Sequence, residues 1–159
     1  MEAAERVIVA LDRATTEENV ALVHALRGHA RWFKLGMRSY YAGADALFAA
    51  VRDAGARLFL DLKLHDIPST VGAATRALRR HAPALLTIHA GGGSEMVQAA
   101  RESASENTKV LAVTVLTSLD DTELRRMGQL ENASGTAFRW GQMAMESGAH
   151  GLVCSGHEV

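Results

Sequence analysis

The chain has 159 residues, 48% of them hydrophobic and 22% charged, a make-up that fits one folded domain and excludes a disordered segment. Its net charge of −1 with His neutral gives no global field toward nucleic acid or an anionic membrane, so any affinity for an anion must be local. The single cysteine, Cys154, excludes an intramolecular disulfide and fits a cytoplasmic protein.

The N-terminal residues, Met1 to Arg6, carry two acids and do not read as a signal peptide. No stretch approaches the roughly 18 apolar residues of a membrane span. Residues 7–11 form the first of six short, nearly continuous apolar runs. The others are 32–35, 58–62, 85–88, 110–115 and 151–153. Such runs are expected of parallel strands buried on both faces. Between them the period lengthens. Thr15 and Glu18 predict a capping box that opens a helix over 16–26, with Val20, Val23 and Leu26 on its apolar stripe. A second helix is expected over 42–54, carrying Leu47, Phe48 and Val51. Pro68 suits the first position of a helix running through 71–78. Further helices are expected over 94–104, 120–127 (short) and 135–145. Six strand–helix alternations predict one α/β domain over 1–159 with a parallel sheet. The pattern alone fits both an open doubly wound sheet and a barrel.

Polar residues gather where the strands end, which is where α/β proteins carry their chemistry. Asp12 follows the first run and Lys34 sits in the second. The third ends Asp61-Leu62-Lys63 and continues Leu64-His65-Asp66-Ile67-Pro68-Ser69-Thr70. His89 ends the fourth run, and Thr117-Ser118 follow the fifth. Asp61 and Lys63 are two apart, so regular strand alternation would put them on one face, with Leu60, Leu62 and Leu64 on the other. An inward Asp–Lys pair is costly unless it is paired or functional. Lys34 and Asp66 would extend it to a Lys–Asp–Lys–Asp array with compensating charges, the kind of cluster that marks a site. Taken singly, Asp12 reads equally as a turn or cap residue, Lys34 as a solvated strand end, and Asp61 with Lys63 as a plain ion pair.

Phe33-Lys34-Leu35-Gly36, together with the pattern Asp-x-Lys-x-x-Asp-Ile-Pro-x-Thr at 61–70, resembles the signature of the orotidine 5′-monophosphate decarboxylases. Val9-Ala10-Leu11-Asp12, Thr87-Ile88-His89-Ala90, Thr114 to Ser118 and Val153-Cys154-Ser155 are further echoes. The related sugar-phosphate decarboxylases and aldolases share the Asp-x-Lys-x-x-Asp core, and Ile67-Pro68-x-Thr70 favours the nucleotide enzymes. The resemblance implies a TIM-type (β/α) barrel and cofactor-free, metal-free conversion of orotidine 5′-monophosphate to UMP in pyrimidine biosynthesis. It implies Lys63 as proton donor, Asp61 against the departing carboxylate, and Lys34 holding Asp61 and the ribose. Asp12, Ile67, Thr70 and Thr117 would contact substrate. Asp66 and Thr70 would serve the partner's site in a homodimer with shared active sites. No nucleic-acid or membrane partner is implied.

The family's barrel has eight strands, and six are legible here. Strands seven and eight, which in the family carry a Gln and an Arg for the 5′-phosphate, have no counterpart in 1–159. The expectation is therefore a C-terminally incomplete barrel of six β/α units, with a truncated, non-catalytic chain as an alternative. Gly91-Gly92-Gly93 reads as a turn before a helix, since it lacks P-loop spacing. His65, Asp66 and His89 lack metal-ligand spacing. Cys154 reads as a buried strand residue. Trp32, Phe33, Tyr40 and Tyr41 read as packing or dimer-face residues, with no basic patch beside them.

Overall fold

The computed structural model describes residues 5–156. Six strands form, β1 (Ile8–Ala10), β2 (Trp32–Gly36), β3 (Arg57–Leu64), β4 (Leu85–His89), β5 (Lys109–Val113) and β6 (Gly151–Val153). Their order in the sheet is the order of the sequence, and β1 with β2, β2 with β3 and β5 with β6 pair in parallel. A doubly wound sheet reverses its strand order at a switch point. The sequential order has no reversal, and the fold is of the TIM-type (β/α) barrel class with six units. The chain comprises two compact units, Met1–Leu62 with Leu78–Leu86, and Lys63–Ala77 with Thr87–Val159.

In the first unit, α1 (Thr16–Ala25) opens as the sequence predicts. Thr15 Oγ1 accepts the Glu18 N–H at 3.1 Å, and Glu18 Oε2 accepts the Thr15 N–H at 3.3 Å. This reciprocal cap satisfies two N–H groups that a helix start leaves without partners. The helix expected over 42–54 forms as α3 (Asp45–Asp53), and a short helix the sequence reading did not predict, α2 (Met37–Tyr41), precedes it. Between them Gly43 has φ +114°, a value a helix cannot hold and a side chain rarely adopts. Leu47 and Val51 of α3 are buried, as are Val23 of α1, Phe33 and Leu35 of β2 and Leu60 of β3, and α1 packs on α3. Burying each of these large side chains contributes about 1.5–3 kcal/mol. Ser39 of α2, also buried, donates its hydroxyl to the Leu11 carbonyl.

In the second unit, α4 (Pro68–Leu78) starts on its proline and α5 spans Ser94–Ser103. The short α6 (Asp121–Arg126) is capped by Asp120, whose Oδ1 accepts the N–H groups of Thr122 and Glu123 at 2.9 and 2.8 Å. Asn132 caps α7 (Ala133–Glu146) through the Gly135 N–H. The core joins Val71, Ile88, Met96, Val97, Ala100, Val110, Ala112 and Ala144. Beyond β5, Thr114 N–H still donates to the Val153 carbonyl at 3.1 Å. Cys154 differs from expectation: it lies just past β6 and is half-buried. No helix among the described residues is long and apolar enough to cross a membrane.

Candidate active site

In the first unit the site is built on β2 and β3. In their parallel register Lys34 stands opposite Phe59 and Gly36 opposite Asp61. Phe59 and Asp61 share a face through strand alternation, so Lys34 reaches Asp61 diagonally, toward the carboxyl ends. Its Nζ lies 2.8 Å from Asp61 Oδ2. The Asp61 side chain is 10% exposed and that of Lys34 32%. The carboxylate is therefore held away from water by an ammonium that water partly reaches. Two residues past β1, Asp12 is exposed. It does not cap α1, which Thr15 does.

In the second unit the chain leaves β3 through Lys63. Lys63 is half-buried and has φ +49°, the left-handed region that costs a non-glycine residue about 1–3 kcal/mol. Alternation between faces presumes extended backbone at each residue. The expected shared face of Asp61 and Lys63 therefore does not follow from strand geometry at this position. The Lys63 N–H donates to Thr87 Oγ1 of β4 at 3.0 Å, and Thr87 is fully buried.

His65 and His89 approach each other, with ring centroids 5.3 Å apart. The pKa of His89 falls below the usual imidazole value because the ring is half-buried, and the adjacent His65 and Lys63 add to the cost of its charge. Gly92 follows in a 3₁₀ turn, Ala90–Gly92, in line with the turn reading of the triple glycine. A Cβ on Gly92 would stand 2.1 Å from Met96 Sδ and 3.2 Å from His65 Cδ2. A side chain at position 92 would require the end of Met96 to move and His65 to give by a few tenths of an ångström.

Asp66, Ile67 and Thr70 are exposed, Ile67 at 63%. Asp66 Oδ1 accepts the N–H of Ile67 at 2.6 Å, and the Ile67 carbonyl accepts the N–H groups of Thr70 and Val71. These bonds fix the Asp-Ile-Pro-x-Thr segment onto the start of α4. Thr117 is exposed between β5 and α6. Sequence reasoning missed Thr87 as a partner of Lys63 and the approach of His65 to His89. The signal for the first was thin, a lone hydroxyl residue in the otherwise apolar run 85–88.

A sheet in sequential strand order, with one carboxylate and one amine near the end of its third strand, is the architecture of a (β/α) barrel enzyme, whose chemistry sits where the strands end. The sequence profile of the Orotidine 5'-phosphate decarboxylase / HUMPS family matches residues 5–159. Orotidine 5'-phosphate decarboxylase of Novosphingobium aromaticivorans is 45% identical over 153 residues, 96% of this chain and 68% of that protein. The enzyme of the same name from Thermobifida fusca is 46% identical over 156 residues, 96% of this chain and 66% of that protein. The crystal structure of orotidine 5'-phosphate decarboxylase from Lactobacillus acidophilus superposes with a TM-score of 0.86 at 35% identity, over 94% of this chain and 70% of that one. An uncharacterized conserved protein from Geobacillus kaustophilus gives 0.89 at 36%, over 95% and 74%. The chain thus spans about two-thirds of the length of these curated relatives. It belongs to the Orotidine 5'-phosphate decarboxylase / HUMPS family, and so stands among carbon–carbon lyases of the carboxy-lyase type.

Proposed function

We propose that the chain serves the decarboxylation of orotidine 5′-monophosphate to UMP, without a cofactor, and that Lys63 delivers the proton. The bond between C6 of the pyrimidine and its carboxylate breaks and CO₂ leaves. The electron pair stays on C6, and the Lys63 ammonium gives C6 a proton. C6 offers no attached electron sink, so the developing charge needs a fixed cation beside it. In this reading Asp61 lies against the departing carboxylate, and Lys34 holds Asp61 and the ribose. Destabilising the substrate carboxylate in this way is a contested contribution, and the cation beside C6 carries the larger share.

The observation that carries the reading is the 2.8 Å Lys34–Asp61 pair, with its carboxylate withdrawn from water, two residues before Lys63 on the same strand. Support for substrate class comes from the 40–46% identity of curated relatives that bear the decarboxylase name. Asp12 and Thr117 are assigned to the sugar and the base. Asp66, Ile67 and Thr70 are assigned to a neighbouring copy's site in a homodimer. Their exposure supports this, since a 63%-exposed isoleucine beside an acid suits a surface that becomes covered. The setting we propose is the cytoplasm.

The test is loss of orotidylate absorbance in the presence of the chain and of Lys63→Ala. The expected result is turnover by the parent chain and loss of at least a thousandfold in the variant, with an unchanged circular dichroism spectrum. A folded Lys63→Ala variant that keeps its rate would remove Lys63 from the role, and a silent parent chain would remove the activity.

A further inference from the structure

We infer that Thr87 is a positioning residue for Lys63, its buried hydroxyl holding the Lys63 peptide in the left-handed conformation that sets the direction of the amine side chain. The inference rests on the proposed role of Lys63 for its meaning in catalysis, and on geometry for the rest.

Two non-glycine residues among those described have positive φ, Lys63 and Ala82. Ala82 has an ordinary cause. It ends the 3₁₀ turn Arg79–His81, and its N–H bonds back to the Arg79 carbonyl, as left-handed caps do. Lys63 has no such cause, because it lies inside β3 with Leu64 still in the strand. A left-handed lysine in a strand persists only where its surroundings over-determine it. Thr87 supplies that constraint. Its Oγ1 accepts the Lys63 N–H at 3.0 Å from a fully buried position in β4. Threonine is β-branched and stiff at χ1, so the acceptor is held in place. Backbone dihedrals fix where a Cα–Cβ bond points. A return of Lys63 to extended φ would swing its side chain as a body, and small misplacements of a reacting group are costly in rate.

Thr87→Val keeps shape and branching but removes the acceptor; Thr87→Ser keeps the acceptor. Two readouts apply to the full chain. The three-bond coupling between the amide and α protons of Lys63 reports φ directly and needs no activity. Orotidylate turnover gives kcat and KM separately. For Thr87→Val we expect the coupling to move to an extended value and kcat to fall about ten- to a hundredfold, with KM within about twofold. Thr87→Ser should restore both. If the valine variant does not fold, Thr87→Ala gives the same comparison. An unchanged Lys63 coupling in a folded Thr87→Val or Thr87→Ala variant overturns the inference. So does a kcat loss in Thr87→Ser equal to that in Thr87→Val. Should Lys63→Ala keep full activity, the proton-donor reading fails, while the coupling still decides whether Thr87 holds the peptide.

Discussion

Replacing Lys34 by Met removes the ammonium 2.8 Å from Asp61 Oδ2 while keeping an unbranched side chain of similar length. Breaking a fully buried pair by deleting one partner costs about 3–5 kcal/mol, and losing an exposed pair costs about 0.2–1 kcal/mol. This pair lies between, since the carboxylate side chain is 10% exposed and the lysine 32%. Water entering past the vacated ammonium would partly rehydrate Asp61, which brings the expected loss to about 2 kcal/mol. For a chain of this size that lowers Tm by about 4–8 °C. The assay is a reversible thermal melt of the parent, Lys34→Met, Asp61→Asn and the double variant. Neutralising both partners leaves no buried charge without its counterion. The double variant should therefore lose at least about 1 kcal/mol less than the two singles combined. A Tm change below about 1 °C in Lys34→Met, or strict additivity in the double variant, would refute the claim that the pair holds a desolvated carboxylate.

Other outcomes follow from particular contacts. Thr75 is 2% exposed and its hydroxyl has no hydrogen-bond partner among the described residues, so isosteric Thr75→Val should raise stability by about 1 kcal/mol and Tm by about 2–4 °C in the same melt. Gly92→Ala drives a Cβ into the Sδ of fully buried Met96. It should cost about 1–3 kcal/mol, read as a lower denaturation midpoint at unchanged m-value. His89 titrates below its unfolded value of 6.5 because of burial and the nearby His65 and Lys63. As pH falls through 6.5, the unfolded chain takes up a proton that the folded chain resists, and stability declines. His81 and His150 are lowered as well, so the comparison is with His89→Gln, whose stability should fall less steeply between about pH 7 and pH 5. Parallel slopes would contradict the assignment.

The strands are legible because each rests on a short apolar run, although burial on both faces holds for the inner strands and not for the edges, where Ile8 of β1 and Leu152 of β6 are exposed. Thr15 and Glu18 announced α1, and Pro68 announced α4, through local chemistry that needs no tertiary context. Gly43, with φ +114°, lies before the start of α3, so the start expected at 42 falls three residues early. The apolar spacing of Leu47, Phe48 and Val51 suits a helix beginning on either side of this glycine. Lys34 and Asp61 could be paired from sequence because one long side chain spans neighbouring strands. The conformation of Lys63 could not. It depends on which atom of β4 faces its N–H, a matter of register between segments 24 residues apart. The meeting of His65 with His89 was hidden for the same reason.

The left-handed turn of the backbone at position 63 bears on attempts to transplant this chemistry. An Asp-x-Lys tripeptide copied onto a regular strand of another scaffold would reproduce the residues and lose the aim, because an ideal pleat sends the lysine along a different vector. A faithful graft has to carry the bent peptide and the threonine hydroxyl as one unit, or the supporting shell is left to chance. The same consideration favours lysine over β-branched residues in any library built at this site, since branching at Cβ crowds a positive φ.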